Sequence, residues 1–415
     1  MALKDKRILL GVTGGIAAYK AAELIRDFVR RQASVKVIMT KNAREFVMPL
    51  TLQTLSGNPV YTDMFSLDRP NEIIHISLAD YADIIIVAPA TANVIGKLAA
   101  GLADDLLTTV ILATKSPVLI CPAMNSNMLD NPAVKENIAR LVKRDFHFMD
   151  PEWGELACKV EGRGRLPEIS EIADEADAIL TVKDFAGERV LVTAGPTREP
   201  FDPVRYITNY SSGKMGYALA RCARNRGAKV VLISGPTALE KPRGVEFIAV
   251  SSALQMRDAV MSELETATVV IKAAAVADYR PSTISEKKIK KKAGGLAIEL
   301  QRNPDIIAEV GREKGSRILV GFAMESHDLI ENATEKMQQK NMDLIVANDV
   351  TQAGAGFQTD TNIVKILDCK GGIEDCPLMD KMMVADRILD KVRQIRMEGM
   401  PSRGPSNPSK RMRRK

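Results

Sequence analysis

Ile8-Leu-Leu-Gly-Val-Thr-Gly-Gly-Ile-Ala17 is the stretch that decides the fold. It joins a short apolar run, which predicts a buried strand, to a glycine-rich bend and then to a helical segment that begins near Ala17. Further apolar runs at Val35–Met39, Ile84–Ala88 and Val118–Cys121 alternate with segments of helical periodicity. This alternation is typical of a parallel sheet with crossover helices.

The same alternation starts again in the second half of the chain. It follows a Gly/Arg-rich stretch at Gly162–Arg165 and a short acidic helix predicted near Glu168–Leu180. The later predicted elements are strands at Arg189–Thr193, Val230–Ile233, Val245–Val250, Val269–Ala273, Ile318–Phe322 and Leu344–Ala347, a late edge strand at Ile363–Leu367 and a closing helix at Lys381–Met397. We therefore predict two Rossmann-like three-layer α/β domains in series, with a boundary near residues 182–188.

Length and composition agree with two domains. A chain of 415 residues exceeds what one hydrophobic core usually organises, and its 46% hydrophobic and 27% charged residues are ordinary for a globular protein. No apolar run reaches membrane-spanning length, and the five cysteines lack CxxC spacing. We expect a cytoplasmic protein with reduced thiols and no membrane partner.

The net charge of +6 does not by itself indicate nucleic-acid binding. The segment after Ser402 contains six basic residues and no acidic one, so its charge of +6 accounts for the whole net charge of the chain. A Ser/Pro/Arg tail of this kind cannot bury apolar surface and is expected to be disordered. We expect no nucleic-acid partner, and a solvated tail is favoured over one that binds anions.

The first glycine-rich turn, Gly11-Val-Thr-Gly-Gly15, could hold a phosphate on backbone amides. Its spacing is not GxGxxG, and Thr40-Lys41 stands where a dinucleotide site would carry a ribose-binding acid. A nicotinamide dinucleotide is therefore disfavoured. A purely structural tight turn remains an equal alternative for this motif alone.

Three further motifs give the first domain its resemblance. They are His75-Ile-Ser-Leu-Ala79, then Ala88-Pro-Ala-Thr-Ala-Asn93 with Gly101-Leu-Ala-Asp-Asp-Leu-Leu-Thr-Thr109, and Pro122-Ala-Met-Asn-Ser-Asn-Met128. Together they resemble the homo-oligomeric flavin-containing cysteine decarboxylases over residues 5–180. The resemblance implies a flavodoxin-like domain that binds FMN, at a site between subunits, through Gly15, Ile16, Thr40, Thr91, Asn93 and Ala123.

The same resemblance implies three catalytic residues. His75 would transfer a proton during thiol oxidation, Asn125 would hold the substrate carboxylate, and Cys158 would protonate the enethiol left after CO2 is lost. The structural alternatives are a loop histidine, a helix N-cap at Asn125 and an inert core cysteine. Leu129 and Lys159 depart from the family pattern, which leaves substrate packing and the motion of the Cys158 flap open.

The second domain begins with Thr193-Ala-Gly-Pro-Thr-Arg-Glu-Pro200, followed by Asn209-Tyr-Ser-Ser-Gly-Lys-Met-Gly216, which is not a P-loop because the GxxxxGK[ST] spacing fails. With Ala273-Ala-Ala-Val-Ala-Asp278, Lys288-Ile-Lys-Lys291, Asn303-Pro-Asp-Ile306, Gly321-Phe-Ala-Met-Glu325 and Ala347-Asn-Asp349, it resembles phosphopantothenate-cysteine ligase over residues 186–395. Fusion of this ligase behind a flavin decarboxylase is typical of the bifunctional family of coenzyme A biosynthesis, which activates with CTP.

That resemblance implies the ligase site. Asn209 would hold the carbonyl of an acyl-cytidylate and Lys288 would be the catalytic lysine, in a Lys287–Lys292 run whose alternatives are a solvated loop or a nucleic-acid patch. Mg²⁺ would assist, but the sequence assigns it no ligands. CTP would contact Ser211, Ser212, Gly213, Ala273, Asp278, Lys288, Pro304, Asp305, Ile306, Ile307, Phe322, Lys336 and Lys340.

The whole chain is thus expected to ligate 4'-phosphopantothenate to cysteine and to decarboxylate the product to 4'-phosphopantetheine. Domains are predicted at residues 1–183 and 184–398, with a basic tail at 399–415. The family implies a homo-oligomer, a dodecamer built from decarboxylase trimers and ligase dimers. The alternatives are a non-catalytic flavin-binding regulatory subunit, a peptidyl-cysteine decarboxylase and a flavin prenyltransferase; the attached ligase and Cys158 disfavour the last two.

Overall fold

In a computed structural model of the chain, β1 (Arg7–Val12) lies at the centre of the first sheet. The structure describes residues 3–65, 73–157, 159–290, 296–325, 329–349, 356 and 359–399. Ile8, Leu10 and Val12 pack into one apolar cluster, and Leu9 packs into a second cluster on the opposite face. Such two-sided burial is why parallel strands are continuously hydrophobic.

The first unit contains a six-stranded parallel sheet with helices on both faces. A short 3-10 helix at Ile16–Lys20 follows β1. The other elements are α1 (Ala21–Arg30), β2 (Ser34–Met39), α2 (Pro49–Ser56), β3 (Val60–Tyr61), α3 (Ile74–Tyr81), β4 (Ile84–Ala90), α4 (Ala92–Ala100), α5 (Leu106–Ala113), β5 (Val118–Pro122), α6 (Ser126–Asp130), α7 (Pro132–Val142), β6 (His147–Phe148), the hairpin strands β7 (Glu152–Glu155) and β8 (Glu161–Arg165), and α8 (Ile169–Leu180).

The second unit repeats the plan with an eight-stranded sheet. Val190 and Val192 of its central strand face one apolar cluster, and Leu191 faces the other. The elements are β9 (Arg189–Ala194), β10 (Arg198–Pro200), β11 (Tyr206–Thr208), α9 (Lys214–Asn225), β12 (Lys229–Ser234), β13 (Glu246–Ala249), α10 (Ala253–Leu264), β14 (Val269–Lys272), β15 (Tyr279–Pro281), β16 (Leu300–Arg302), α11 (Ile306–Arg312), β17 (Ile318–Glu325), α12 (Leu329–Gln339), β18 (Leu344–Asp349), β19 (Thr361–Asp368), β20 (Ile373–Asp380) and α13 (Lys381–Gly399).

Both sheets reverse their strand order beside the first strand. The orders are β3-β2-β1-β4-β5-β6 and β13-β12-β9-β14-β17-β18-β19-β20. The prediction of two Rossmann-like α/β domains is confirmed. The first domain has the 3-2-1-4-5-6 order of dinucleotide-binding folds, however, and not the 2-1-3-4-5 order of flavodoxin, so it is flavodoxin-like only in its layers.

The last part of the second sheet differs from the prediction. The strand predicted at Ile363–Leu367 is β19, which pairs with β18 on one side and β20 on the other, so it is not an edge strand. The unpredicted β20 forms the edge. Its sequence contains Pro377 and several charged residues, which suit an edge strand but hide it from a search for apolar alternation.

The start of the first helix also differs. The predicted α-helix from Ala17 is replaced by the 3-10 helix Ile16–Lys20, and α1 begins at Ala21. The chain divides into two units, Met1–Thr181 and Val182–Lys415. Of the predicted tail, residues 400–415 lie outside the described residues. No helix in the described part of the chain is long and apolar enough to cross a membrane.

Two helical glycines give opposite predictions for stability. A Cβ on Gly216 in α9 would lie 2.5 Å from Ala194 Cβ and 3.0 Å from Thr193 O, whereas one on Gly96 in α4 would meet only Asn137 Nδ2 at 3.7 Å. We expect Gly216→Ala to destabilise its domain by about 1–3 kcal/mol because backbone must move. Gly96→Ala should stabilise its domain by about 0.5–1 kcal/mol because alanine loses less entropy in a helix.

Urea unfolding of the full chain measures both changes in the free energy of unfolding. Hydrogen exchange of peptides from each domain monitors the two domains separately. Equal effects of the two substitutions would contradict the close packing of α9 on β9.

Candidate active sites

The first cavity lies at the carboxyl ends of β1, β2, β4 and β5, where the strand order reverses. Its volume is about 980 Å³. This edge is where open parallel sheets bind their ligands. All six residues predicted to contact the cofactor line this cavity: Gly15, Ile16, Thr40, Thr91, Asn93 and Ala123.

The glycine-rich turn is shaped by close contacts with its neighbours. A Cβ on Gly14 would lie 2.3 Å from Asn42 Cβ and 2.8 Å from Asn42 C, so only glycine fits there. The Thr13 hydroxyl donates to Pro89 O at 2.7 Å and accepts from Thr91 N at 3.1 Å. These bonds hold the end of β1 against the end of β4 on the cavity wall.

Asn125 lines the same cavity and caps α6, with Oδ1 accepting from Asn127 N at 2.9 Å. Its capping role is therefore present in the structure, and it orients the amide at the cavity wall. The catalytic role of Asn125 stays a prediction.

The hairpin β7–β8 closes one side of the first cavity. Glu155, Leu156 and Ala157 line the cavity, and Cys158 is the next residue, although it lies outside the described residues. Gly164, with φ +147°, would place a Cβ 2.0 Å from Met124 O. The family flap of the sequence analysis thus corresponds to the turn of a hairpin whose strands pack tightly on the cavity edge.

His75, a predicted catalytic residue of the first domain, does not line the cavity of its own chain. It is partly buried in the first turn of α3, and the cavity lining among the described residues does not include it. The neighbouring Ile73 and Ile76 are 67% and 44% exposed. His75 is thus flanked by two exposed isoleucine side chains.

The second cavity has a volume of about 810 Å³ and lies at the carboxyl ends of β14, β17 and β18 and the start of α9. It brings together residues from five of the predicted motifs. The predicted residues that line it are Asn209, Ser211, Ser212, Gly213, Ala273, Asp278, Pro304, Asp305, Ile306, Ile307, Phe322, Lys336 and Lys340.

The start of α9 presents backbone amides to this cavity. Gly213 is the N-cap residue with φ +78°, and a Cβ there would lie 2.7 Å from Thr237 Cγ2. The Ser211 hydroxyl accepts from Gly213 N at 3.3 Å. A helix N-terminus of this kind favours anions, because its first backbone amides point toward the cavity and the positive end of the helix dipole lies there.

Asn209 is tied to the segment that follows β14. Its Nδ2 donates to Val276 O at 3.1 Å and to Ala275 O at 3.3 Å. An acyl carbonyl that bound to this amide would have to replace one of those acceptors.

Lys272 is a cavity residue that the sequence analysis missed. It lines the pocket at the end of β14, and burial lowers the pKa of its ammonium to about 8, with the charges of Lys340 and Lys336 acting in the same direction. Burial alone would raise the pKa of the nearby Asp305, but the hydrogen bond and charge of Lys340 outweigh it and leave the pKa lowered. Lys340 Nζ lies 2.8 Å from Asp305 Oδ2.

Two further cavity residues received no assignment from the sequence. Asn348 is 9% exposed, and its Oδ1 has no hydrogen-bond partner among the described residues. Lys381 donates to Thr359 O at 2.6 Å and to Gly356 O at 3.1 Å, and burial lowers its pKa. Lys381 sits in a segment of no recognisable motif, so no sequence signal pointed to it.

Lys288 is exposed and does not belong to the described lining of the second cavity. It lies on the long connection between β15 and β16, together with Lys287 and Lys290. Lys291 and Lys292 of the predicted lysine run lie outside the described residues. No group of three or more His, Cys, Asp or Glu side chains that could hold a metal ion occurs among the residues that the structure describes.

Comparison with known proteins agrees with the division of the chain into two domains. A family model described as "Flavoprotein" matches residues 1–181, and one described as "DNA/pantothenate metabolism flavoprotein C-terminal domain" matches residues 185–395. The coenzyme A biosynthesis bifunctional protein CoaBC of Bacillus subtilis (strain 168) is 52% identical over 394 residues, which is 94% of this chain and 97% of the relative.

The chain belongs to the family of coenzyme A biosynthesis bifunctional proteins. A second member, from Vibrio cholerae serotype O1 (strain ATCC 39315 / El Tor Inaba N16961), is 47% identical over 395 residues, 94% of this chain and 99% of the relative. The crystal structure of the C-terminal domain of a bifunctional protein CoaBC is 42% identical and covers 52% of this chain and 99% of that chain, with a TM-score of 0.46. The protein is therefore a bifunctional enzyme of coenzyme A biosynthesis with a flavoprotein domain at its N-terminal end.

The lowered pKa of Lys272 predicts a pH dependence of anion binding in the second cavity. An anion bound beside Lys272 would stabilise the charged ammonium and raise its pKa from about 8 toward the ordinary 10.5. Binding between these pH values should therefore take up as much as one proton, and affinity should fall as pH rises above about 8.

Titration calorimetry of the full chain with CTP and Mg²⁺ at pH 9, in buffers of different ionisation enthalpy, measures this uptake. In Lys272→Met the uptake should disappear. Heat that is independent of the buffer in the unsubstituted protein would contradict the prediction.

Proposed function

We propose that the second domain ligates 4'-phosphopantothenate to cysteine with CTP and Mg²⁺, and that the first domain decarboxylates the product to 4'-phosphopantetheine with FMN. The proposal is supported by family membership and by the two cavities, each at the reversal of strand order of its own sheet. The observation that carries it is the set of predicted residues, separated in sequence, that line each cavity.

The first cavity fits a flavin mononucleotide in its chemistry. Gly15 is the N-cap of the 3-10 helix Ile16–Lys20, whose start suits a phosphate, and a Cβ on Gly15 would meet only Thr91 Cγ2, at 3.6 Å. Thr40, Thr91 and Asn93 supply hydroxyl and amide groups around this turn. When bound, FMN supplies a two-electron acceptor and donor, which is the redox chemistry that decarboxylation of a cysteine derivative needs.

The side chains of the first domain would then handle charge and protons. Asn125 holds the substrate carboxylate through its amide, at the position that its bond to Asn127 N fixes. His75 accepts the thiol proton, and Cys158, directly after the cavity residue Ala157, donates a proton to the enethiol left after CO2 is lost. Because His75 is not in the cavity of its own chain, we assign it to the site of a neighbouring protomer.

The ligase step requires positive charge beside the phosphates. The substrate carboxylate oxygen attacks the α-phosphorus of CTP, pyrophosphate leaves, and the cysteine amine then displaces CMP as the amide bond forms. Lys272, Lys336 and Lys340 together with the start of α9 would offset the charge of the triphosphate, with Mg²⁺ on the phosphate oxygens. Lys288 would approach from the connection between β15 and β16, and Asn209 would hold the acyl carbonyl.

We further propose a cytoplasmic homo-oligomer in which decarboxylase trimers and ligase dimers assemble into a dodecamer. The exposed Ile73 and Ile76 beside His75 support a protomer contact at that surface. The rival proposal, a flavin-binding regulatory subunit without catalysis, predicts bound flavin and no turnover.

The coupled assay tests the function as a whole. We expect the purified full chain to be yellow and, with phosphopantothenate, cysteine, CTP and Mg²⁺, to release one pyrophosphate and one CO2 per phosphopantetheine formed. Replacement of CTP by ATP in a parallel reaction measures nucleotide preference. A yellow protein that releases neither product would favour the regulatory subunit, and a colourless inactive protein would remove both proposals.

Two substitutions separate the half-reactions. Cys158→Ala should release CO2 without forming phosphopantetheine, and Asn209→Asp should release pyrophosphate while the acyl-cytidylate accumulates. Cys369→Ala, at an exposed cysteine outside both described cavities, serves as the control with normal turnover. Mass spectrometry of quenched reactions identifies the species, and normal turnover in Cys158→Ala or Asn209→Asp would remove that residue from its proposed role.

Mixed oligomers test the placement of His75. His75→Asn and Asn125→Gln chains should each lack decarboxylase activity as homo-oligomers. Co-assembled in equal amounts, they should recover about a quarter of the activity, because some sites then combine an intact His75 with an intact Asn125 from another protomer. No recovery in mixed oligomers verified by mass would place His75 and Asn125 of one site in the same chain.

A further inference from the structure

Asp202 is a buried carboxylate in the turn between β10 and β11, with 1% of its surface exposed. Its Oδ1 accepts from Val204 N at 2.8 Å and from Arg205 N at 2.9 Å. Its Oδ2 accepts from Arg205 Nε at 3.0 Å, from Arg205 Nη2 and from Ile289 N at 3.1 Å. All of these donors except Ile289 N belong to the same turn as Asp202.

The contact with Ile289 is doubled by Arg205. Arg205 Nη2 donates to Ile289 O at 2.8 Å, so both the N–H and the C=O of Ile289 are bound by the Asp202–Arg205 pair. A second anchor lies four residues earlier, where Ser285 N donates to Phe201 O at 3.1 Å. The 201–205 turn therefore holds the connection between β15 and β16 at two points.

Lys288 lies between these two anchors. Its own side chain is exposed, so the position of its ammonium depends on where the backbone of Ser285 to Ile289 is held. Lys287 and Lys290 repel Lys288, and a free connection with this charge would spread over many conformations. The anchors restrict the segment without using the lysine side chains themselves.

The charge of Asp202 is maintained in the folded chain. Burial by itself would raise the pKa of this carboxyl, but the hydrogen bonds of Arg205 and of three backbone amides outweigh burial and hold the pKa well below its usual range. The ionised carboxylate also neutralises Arg205, which otherwise would add a further positive charge beside the lysines.

We propose that Asp202 is a positioning residue for the ligase reaction, which fixes the Ser285–Ile289 segment through Arg205 and Ile289 so that Lys288 can reach the nucleotide phosphates. The proposal rests on the proposed role of Lys288. Asp202 does not touch substrate; it acts through the backbone on either side of the lysine.

Asp202→Asn is the sharpest variant, because it keeps the shape and removes the charge. In either orientation its NH2 group faces N–H donors, since both oxygens of Asp202 accept only from N–H groups. Arg205→Lys is the second variant; it keeps a cation beside Asp202 and removes the guanidinium that also binds Ile289 O.

Asp184→Asn provides a matched control. Asp184 accepts from Arg226 Nε at 2.9 Å and Nη2 at 2.7 Å, so the control also breaks a buried aspartate–arginine pair in the same domain. Neither Asp184 nor Arg226 is among the described lining of the second cavity.

Hydrogen exchange of the full-length variants tests the anchor itself. Peptides that cover residues 285–290 should exchange at least about tenfold faster in Asp202→Asn than in the unsubstituted protein, because local opening then costs less. Arg205→Lys should show a smaller increase, and Asp184→Asn none in these peptides. Unchanged exchange in both Asp202→Asn and Arg205→Lys would overturn the proposal without reference to activity.

The rate of pyrophosphate release tests what the anchor does. Asp202→Asn should lower kcat on the order of 10²-fold with little change in KM for CTP, as expected for a displaced catalytic group. On a Lys288→Ala background the same substitution should change the rate by less than about twofold, because coupled residues are not additive.

Additive losses in that double-mutant cycle would mean that Asp202 acts independently of Lys288, and they would overturn the proposal. Failure of the unsubstituted protein to release pyrophosphate would overturn the proposed function, and with it the role of Lys288. The exchange result would still decide whether Asp202 holds this segment.

Discussion

The reversal of strand order beside β1 and β9 is the constraint on which both sites depend. Where neighbouring crossovers leave in opposite directions, no helix covers the carboxyl ends of the strands, and a crevice remains. The loops after β1, β4 and β5 in the first unit, and the loop after β14 together with the start of α9 in the second, line such a crevice. Two different chemistries can therefore use one plan, because the sheet fixes where the loops meet and the loops carry the reactive groups.

Close approach of backbones is the second requirement. The space beside Gly14 is filled by Asn42, and Gly164 lies against Met124 O, so side chains at either position would displace the cavity walls. Gly216 plays the same part for α9, whose amide end lines the second cavity. These glycines allow secondary-structure elements to pack closely around the sites. This role does not require that they contact a ligand.

Positive charge is concentrated in the second cavity. Its lining includes Lys272, Lys336, Lys340 and Lys381 together with the carboxylates of Asp278 and Asp305, and Lys340 pairs with Asp305. Burial makes the ammonium of Lys272 easier to deprotonate, and an anionic ligand beside it would favour the charged form. The exposed Lys288 is outside this group, and its backbone is held by a buried carboxylate that the lysine never touches.

The sequence by itself determined the fold class, most strands, and the sets of residues that meet at each crevice, because hydrophobic periodicity and long motifs are local properties of the chain. It could not determine that β19 is internal, since β20 shows no apolar alternation. Nor could it place Lys272, whose environment depends on Asp305 and on Lys336 and Lys340, which are distant in sequence. Only the tertiary structure decided that His75 and Lys288 lie outside the cavities of their own units and that Asp202 reaches Ile289. The physical reason is that strand pairing, burial and hydrogen bonding between distant segments follow from how the elements pack. A sequence motif shows which residues are present, but it does not show which residues they contact.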